Sequence, residues 1–321
     1  MSVMNVRRRL ISATAVSAAT ALGLGALSAC SSDSAATGNT DKFDVVASFY
    51  PMAFLAEQIG GDHANVTSLT EPGQEPHDLE ISTKQRAQLE EADAALYLKG
   101  LQPAVDEAVS QTGIKTKIDA AGLTTLEDHG GTEHAHEGEE GHSEEEEHAR
   151  DPHIWLDPVK YAEVAQGVGK AFEKADPDHA ADYKKNTAAL VQKLNGLNGK
   201  FENGLKDTRT KVFFTNHAAF GYLAERYGLT QEAISGLDPE SEPSAARVRE
   251  LQQEAKADGV TTVFYETLVS DKTAKTLAQD AKLKTDVLDP LEGITDKSRG
   301  DDYFQVMEAN LKGLQAALGA K

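Results

Sequence analysis

Eight short apolar runs, four on either side of a 25-residue acidic segment, constrain this 321-residue chain more than any other feature. The first four cover 43–49 (FDVVASF), 66–69, 94–98 and 115–119; the second four cover 211–215 (KVFFT), 232–235, 261–265 (TTVFY) and 285–288. Apolar residues at helical spacing fill the gaps at 51–59, 82–91 and 103–109, and again at 218–227, 244–257, 271–281 and 302–318. Strands rich in β-branched residues that alternate with helices predict parallel sheets covered by helices. The expected fold is therefore α/β, with two (β/α)4 lobes. Between them a helix is expected over 158–175, opened by Pro158 and broken at Asp176-Pro177. A second, over about 178–205, has an apolar side marked by Tyr183, Ala188, Leu190, Leu194 and Leu197. It is longer than one small lobe needs, so it reads as a rigid link that permits little hinge motion. The expected divisions are a first lobe at 43–177, the linking helix at 178–205 and a second lobe at 206–321.

The segment that divides the two sets, 127–151 (EDHGGTEHAHEGEEGHSEEEEHARD), holds five of the ten histidines, eleven carboxylates and one arginine. Such a run has nothing to bury, so a solvated loop is expected. Imidazoles and carboxylates are also the groups that bind borderline divalent cations such as zinc. His129, His134, His136, His142 and His148 are accordingly read as a loose metal-collecting set. The plainer reading is an acidic insertion that only solubilises.

The N-terminus indicates export. Arg7, Arg8 and Arg9 precede an uncharged run over 10–27 rich in Ala, Leu and Ser, and then Leu27-Ser28-Ala29-Cys30. Basic residues, an apolar run and small residues before a cleavage point mark a secretory signal. Leu-Ser-Ala-Cys resembles a bacterial lipobox. The expectation is a lipoprotein signal over 1–29, a lipidated Cys30 and a polar tether over 30–42. The arginines also suit twin-arginine export loosely. Cys30 is the sole cysteine, so no internal disulfide is possible and the fold must rest on its core. A formal net charge of −20 argues against a nucleic-acid partner, which needs a cationic footprint. Binding as a monomer is expected.

Three histidines sit apart from the acidic segment. His77 follows Glu75-Pro76 beyond the second apolar run, His153 lies in His-Ile-Trp-Leu-Asp-Pro beside the only tryptophan, and His217 follows Asn216 at the end of an apolar run. Alone, each is a turn or cap residue: Pro-His turns form for backbone reasons, and Asn216 would cap a following helix with His217 in its first turn. In open α/β sheets, however, ligands bind beyond the carboxyl ends of strands, where His77 and His217 are expected, one per lobe. The Leu288-Asp289-Pro290-Leu291-Glu292 turn adds two carboxylates at a similar place. A cation at a helix start costs roughly 0.3–1 kcal/mol, against roughly 10–16 kcal/mol for structural zinc binding, so the dipole does not veto a site.

Pro-His-Asp, His-Ile-Trp-Leu-Asp-Pro and Asn-His-Ala-Ala-Phe-Gly-Tyr together resemble the zinc/manganese substrate-binding lipoproteins of ABC transporters, over nearly the whole of 43–318. The resemblance implies a metal site in the cleft between the lobes, with His77, His153 and His217 as imidazole ligands. The implied fourth ligand is Glu292, with Asp289 and Glu75 as alternatives. Three imidazoles and a carboxylate suit Zn2+; Mn2+ is the alternative, although manganese members typically carry a carboxylate at the position of His217. The implied activity is capture and delivery without catalysis, on the outer face of the cytoplasmic membrane or in a periplasm. The chain has no Gly-x-x-x-x-Gly-Lys-Ser/Thr loop and no membrane bundle, so a permease and a cytoplasmic ATPase must be separate partners. Other classes left open are a zinc hydrolase, for which no His-Glu-x-x-His is present, a surface metal buffer and an adhesin.

Overall fold

The computed structural model describes residues 42–129 and 150–320. Cys30, His134, His136, His142 and His148 lie outside the described residues. Two four-stranded parallel sheets carry the fold. The first runs β2-β1-β3-β4, from β1 (Phe43–Ala47), β2 (Ala64–Ser68), β3 (Ala94–Tyr97) and β4 (Thr116–Asp119). The second repeats that order as β6-β5-β7-β8, from β5 (Val212–Thr215), β6 (Thr230–Ala233), β7 (Thr262–Tyr265) and β8 (Lys284–Val287). The crossovers in the first lobe are α1 (Tyr50–Gly60), α2 (Thr83–Glu91) and α3 (Pro103–Gln111). After α4 (Pro158–Ala175) and α5 (Ala180–Leu205), the second lobe adds α6 (Gly221–Arg226), α7 (Ala245–Ala257), α8 (Lys272–Ala281) and the terminal α9 (Tyr303–Leu318). The α/β, two-lobe expectation thus matches the architecture. Among the described residues, no helix is long and apolar enough to cross a membrane.

Strand residues explain why both faces of each sheet are covered. Val45 and Ala47 point into a large core shared by both lobes, whereas Val46 joins a separate cluster with Leu89, Val105 and Val109 beneath α2 and α3. In the second lobe Phe213 enters the shared core, and Phe214 packs with Leu251 and Leu277 of α7 and α8. Alternate residues of one strand serve opposite faces, and parallel strands need apolar groups on both. Helix α5, about 39 Å long at 1.5 Å per residue, packs on α1 and α4 and also on α9. Its buried Leu190, Leu194, Leu197 and Phe201 belong to the shared core.

Several element boundaries shift by a residue or two from the sequence reading, and two of the differences lie near His217. β6 begins at Thr230, two residues before the expected run, because Thr230–Ala233 pairs with Val212–Thr215. Helix α6 starts at Gly221 rather than at residue 218. Residues 216–220 are instead held outside the helix: the Thr215 hydroxyl donates to the His217 carbonyl at 2.7 Å, and the Ala218 N–H donates to the Gly236 carbonyl at 2.9 Å. Asn216 therefore does not cap α6, and His217 is not in its first turn.

Candidate metal centre

Four side chains converge between the sheets: His77, His153, His217 and Glu292. Each leaves a segment beyond a strand. His77 lies past β2, His153 past β4 and the acidic segment, His217 past β5 and Glu292 past β8. Oε1 of Glu292 stands 3.3 Å from His77 Nε2, 3.4 Å from His153 Nε2 and 3.4 Å from His217 Nε2. The His153 and His217 Nε2 atoms are 3.4 Å apart. Metal–ligand bonds of 2.0–2.1 Å at the tetrahedral angle put ligand atoms about 3.3–3.5 Å apart, so these separations suit a zinc-sized ion at their centre.

The two most buried imidazoles are oriented by carboxylates. The His153 Nδ1–H donates to Asp151 Oδ1 at 2.8 Å, and the same oxygen accepts from the His153 backbone N–H at 2.9 Å. The His217 Nδ1–H donates to Glu266 Oε1 at 2.6 Å. With Nδ1–H held in this way, each Nε2 points inward, and once it gives up its proton it offers a metal its lone pair. His77 is held through its backbone N–H, which donates to Glu75 Oε1 at 3.0 Å. Its side chain is 12% exposed, while those of His153, His217 and Glu292 are fully buried.

The supporting segments are fixed to one another across the lobes. Trp155 Nε1–H donates to the Pro290 carbonyl at 2.6 Å, and the Tyr303 hydroxyl donates to the Trp155 carbonyl at 2.6 Å. The turn carrying Glu292 is strained at Leu291, whose φ of 59° is unusual for a branched residue. Asp289 holds that turn closed. Its Oδ1 accepts from the Leu291 N–H at 2.9 Å and its Oδ2 from the Ser298 hydroxyl at 2.9 Å. Asp289 thus spends both oxygens on the turn, and Glu75 caps His77; neither belongs to the converging group, which takes Glu292.

Charges inside this group pull against burial. Desolvation raises the Glu292 carboxyl, but hydrogen bonds from His153, His217 and His77 outweigh it and hold the group well below the usual carboxylate range. Burial lowers the His217 imidazole, yet Glu266 and Glu292 carry it well above its ordinary value. Burial likewise opposes, and Asp151 and Glu292 reverse, the shift of His153, which ends raised. Glu75 is pushed up to about 9 by desolvation and by Glu292. One buried oxygen each of Glu75, Glu266 and Glu292 has no hydrogen-bond partner among the described residues. Concentrated acceptors of this kind are costly unless a cation faces them.

Of the five histidines read as a metal-collecting set, only His129 is described. It lies away from the four-residue group, at the root of the acidic segment. Its Nε2 is 2.8 Å from Glu225 Oε2 and 4.0 Å from Glu127 Oε2, and its Nδ1 is 2.9 Å from Asp151 Oδ2. The sequence reading missed Glu266 and gave Asp151 no role. Glu266 directly follows β7, so the same rule that draws attention to His217 at a strand end applies to it.

The chain has extensive similarity to known proteins. The family model described as "Zinc-uptake complex component A periplasmic" matches residues 45–317. The zinc-binding lipoprotein AdcA of Streptococcus pneumoniae serotype 4 is 39% identical over 300 residues, covering 90% of this chain; the chain spans 58% of that relative's length. The high-affinity zinc uptake system protein ZnuA of Bacillus subtilis is 35% identical over 316 residues, covering 93% of this chain and 98% of the relative. Among solved structures, Zn(II)-bound AdcA from Streptococcus pneumoniae superposes with a TM-score of 0.71 at 36% identity, covering 86% of this chain and 58% of that one.

Proposed function

The chain belongs to the zinc-uptake complex component A family, and from that premise we propose that it captures Zn2+ outside the cytoplasm and delivers it to an ABC-type permease. The metal is cargo, held by His77, His153, His217 and Glu292. The observation that carries this reading is the set of 3.3–3.4 Å separations from Glu292 Oε1 to the three Nε2 atoms and between the His153 and His217 Nε2 atoms. Imidazole-rich sets favour zinc over manganese, which prefers more oxygen ligands. Mn2+ remains the alternative cargo within the same type of site.

Four protein ligands complete a tetrahedron, as in sites that store an ion; catalytic zinc sites keep one position for water. This supports transport over hydrolysis. Loading follows from charge. The buried carboxylates draw in a dication, and the Nδ1–H donors to Asp151 and Glu266 hold two rings ready, so little ordering remains to be done on binding. The partners in this reading are a membrane permease, its cytoplasmic ATPase and the membrane itself, through a lipid on Cys30. Names of the relatives support an extracytoplasmic, lipid-anchored protein. The histidines within 130–149 would gather the ion loosely before it reaches the buried set.

Competition against chelators of graded strength tests this. Wild-type protein is expected to retain one tightly bound zinc ion, and His217→Ala to lose it. Retention of the tight ion by His217→Ala would remove the four-residue site from the account.

A further inference from the structure

A second chelating group lies at the root of the acidic segment, outside the buried set. Glu127 Oε2, His129 Nε2 and Glu225 Oε2 all lie within 4.8 Å of one another. Glu127 and His129 follow β4 in the first lobe, and Glu225 stands on α6 of the second.

Three features separate this group from a chance meeting of surface charges. First, the His129 ring has a defined orientation: its Nδ1–H donates to Asp151 Oδ2 at 2.9 Å, which turns Nε2 toward the two glutamates. Asp151 uses its other oxygen on His153 Nδ1, so one buried carboxylate serves an imidazole in each group. Second, the ring has a prepared seat. It packs edge-on to Tyr222 at 4.4 Å, and Gly221 leaves the space it occupies, since a Cβ there would stand 2.3 Å from His129 Cβ. The Tyr222 hydroxyl donates to the Asp151 carbonyl and accepts from the Glu127 N–H, both at 2.8 Å, which pins both strands of the root to α6. Third, Glu127 is itself aimed. Lys160 Nζ binds its Oε1 at 2.6 Å and leaves Oε2 facing His129. Lys160 is the neighbouring cation that a metal must tolerate, and it sits on the other oxygen.

Separations of 2.8 and 4.0 Å from Nε2 to the two carboxylates straddle the roughly 3.2–3.6 Å that zinc bonds of 2.0–2.2 Å require. Small side-chain adjustments therefore suffice. We propose that Glu127, His129 and Glu225 form a second site for a divalent cation of the zinc type, completed by water, with Asp151 orienting one imidazole here and one in the buried set. Glu225 is 61% and Glu127 37% exposed in their side chains, so this site binds more weakly than the buried one. Only the choice of zinc as probe rests on the proposed function; the geometry does not.

The test counts zinc equivalents by chelator competition on the full chain and on a variant with residues 130–149 replaced by a short Gly-Ser turn. The Asp151 N–H donates to the Glu127 carbonyl at 2.9 Å, so the ends of that turn are already close. The shortened variant is expected to keep two equivalents, one tight and one weaker. Adding Glu225→Gln is expected to weaken the second at least tenfold and leave the tight one unchanged, with the metal-free melting temperature preserved. A shortened variant with a single equivalent would overturn the proposal, as would a second equivalent indifferent to Glu225→Gln. His217→Ala in the same background separates the two readings: it abolishes the tight equivalent if the buried site is correct, and leaves the second in place if this one is.

Discussion

The buried group around Glu292 and the rim group around His129 are built from the same parts and differ in what surrounds them. Both use an imidazole whose Nδ1–H is held by Asp151, and both bring a carboxylate of the second lobe to its Nε2, Glu292 in one and Glu225 in the other. In the buried group, however, three of four side chains are fully enclosed, and a single carboxylate oxygen lies within 3.4 Å of three imidazole nitrogens. In the rim group two of three side chains are substantially exposed and Lys160 shares one of the carboxylates. On this difference, pre-organisation more than the list of ligand types is expected to set affinity. Water competes freely for exposed carboxylates, and their rotamers must be ordered on binding.

The largest effect expected to separate the two groups comes from His217→Ala. Structural zinc binding is worth roughly 10–16 kcal/mol spread over four ligands, so losing one costs about 3 kcal/mol, over a hundredfold in affinity. Chelator competition should show that loss at the buried site alone. Next is Glu266→Gln, which leaves all four proposed ligands in place. Orienting carboxylates of this kind typically contribute about 10–100-fold in affinity. A smaller change would mean that the 2.6 Å contact to His217 Nδ1 does not orient the ring.

Acidification should act in the same direction. His153 and His217 both carry pKa values raised above ordinary imidazole, so in the metal-free protein they hold protons to higher pH. Zinc must displace those protons, and affinity therefore falls as pH falls, starting above the usual imidazole value near 6.5. Titrations at pH 8 and pH 6 are expected to differ by at least about tenfold. Equal affinity at the two values would contradict the raised shifts.

The smallest expected effect touches no ligand. Gly221→Ala would place a Cβ 2.3 Å from His129 Cβ and 2.9 Å from Asp151 Oδ2, displacing the root of the acidic segment. Overpacking of this kind costs about 1–3 kcal/mol. A drop of several degrees in melting temperature is expected, together with weaker binding at the rim and a change of only a few fold at the buried site.

Much of the fold is readable from strand alternation, because each strand here is short and bounded by a helical pattern, and most carry β-branched residues. The repeated sheet order follows from two similar sets of runs. Less visible is the loop at 216–220, where helical spacing continues on paper but Thr215 and Gly236 hold the backbone away from the helix. The choice between Asp289 and Glu292 is equally hidden. Both follow β8, and only the left-handed Leu291 with Asp289 closing the turn decides which carboxylate faces inward. Glu266 lies 49 residues from its partner His217, and it is the adjacency of β5 and β7 that joins them. Sequence spacing carries no such lateral information.

X-ray absorption at the zinc edge, on protein loaded with one equivalent, reads the ligand set of the tight site. Three imidazole nitrogens and one carboxylate oxygen are expected at about 2.0–2.2 Å, with the oxygen contribution altered in Glu292→Gln. A first shell with one imidazole among oxygens, unchanged by Glu292→Gln, would place the tight ion at the rim and contradict that expectation.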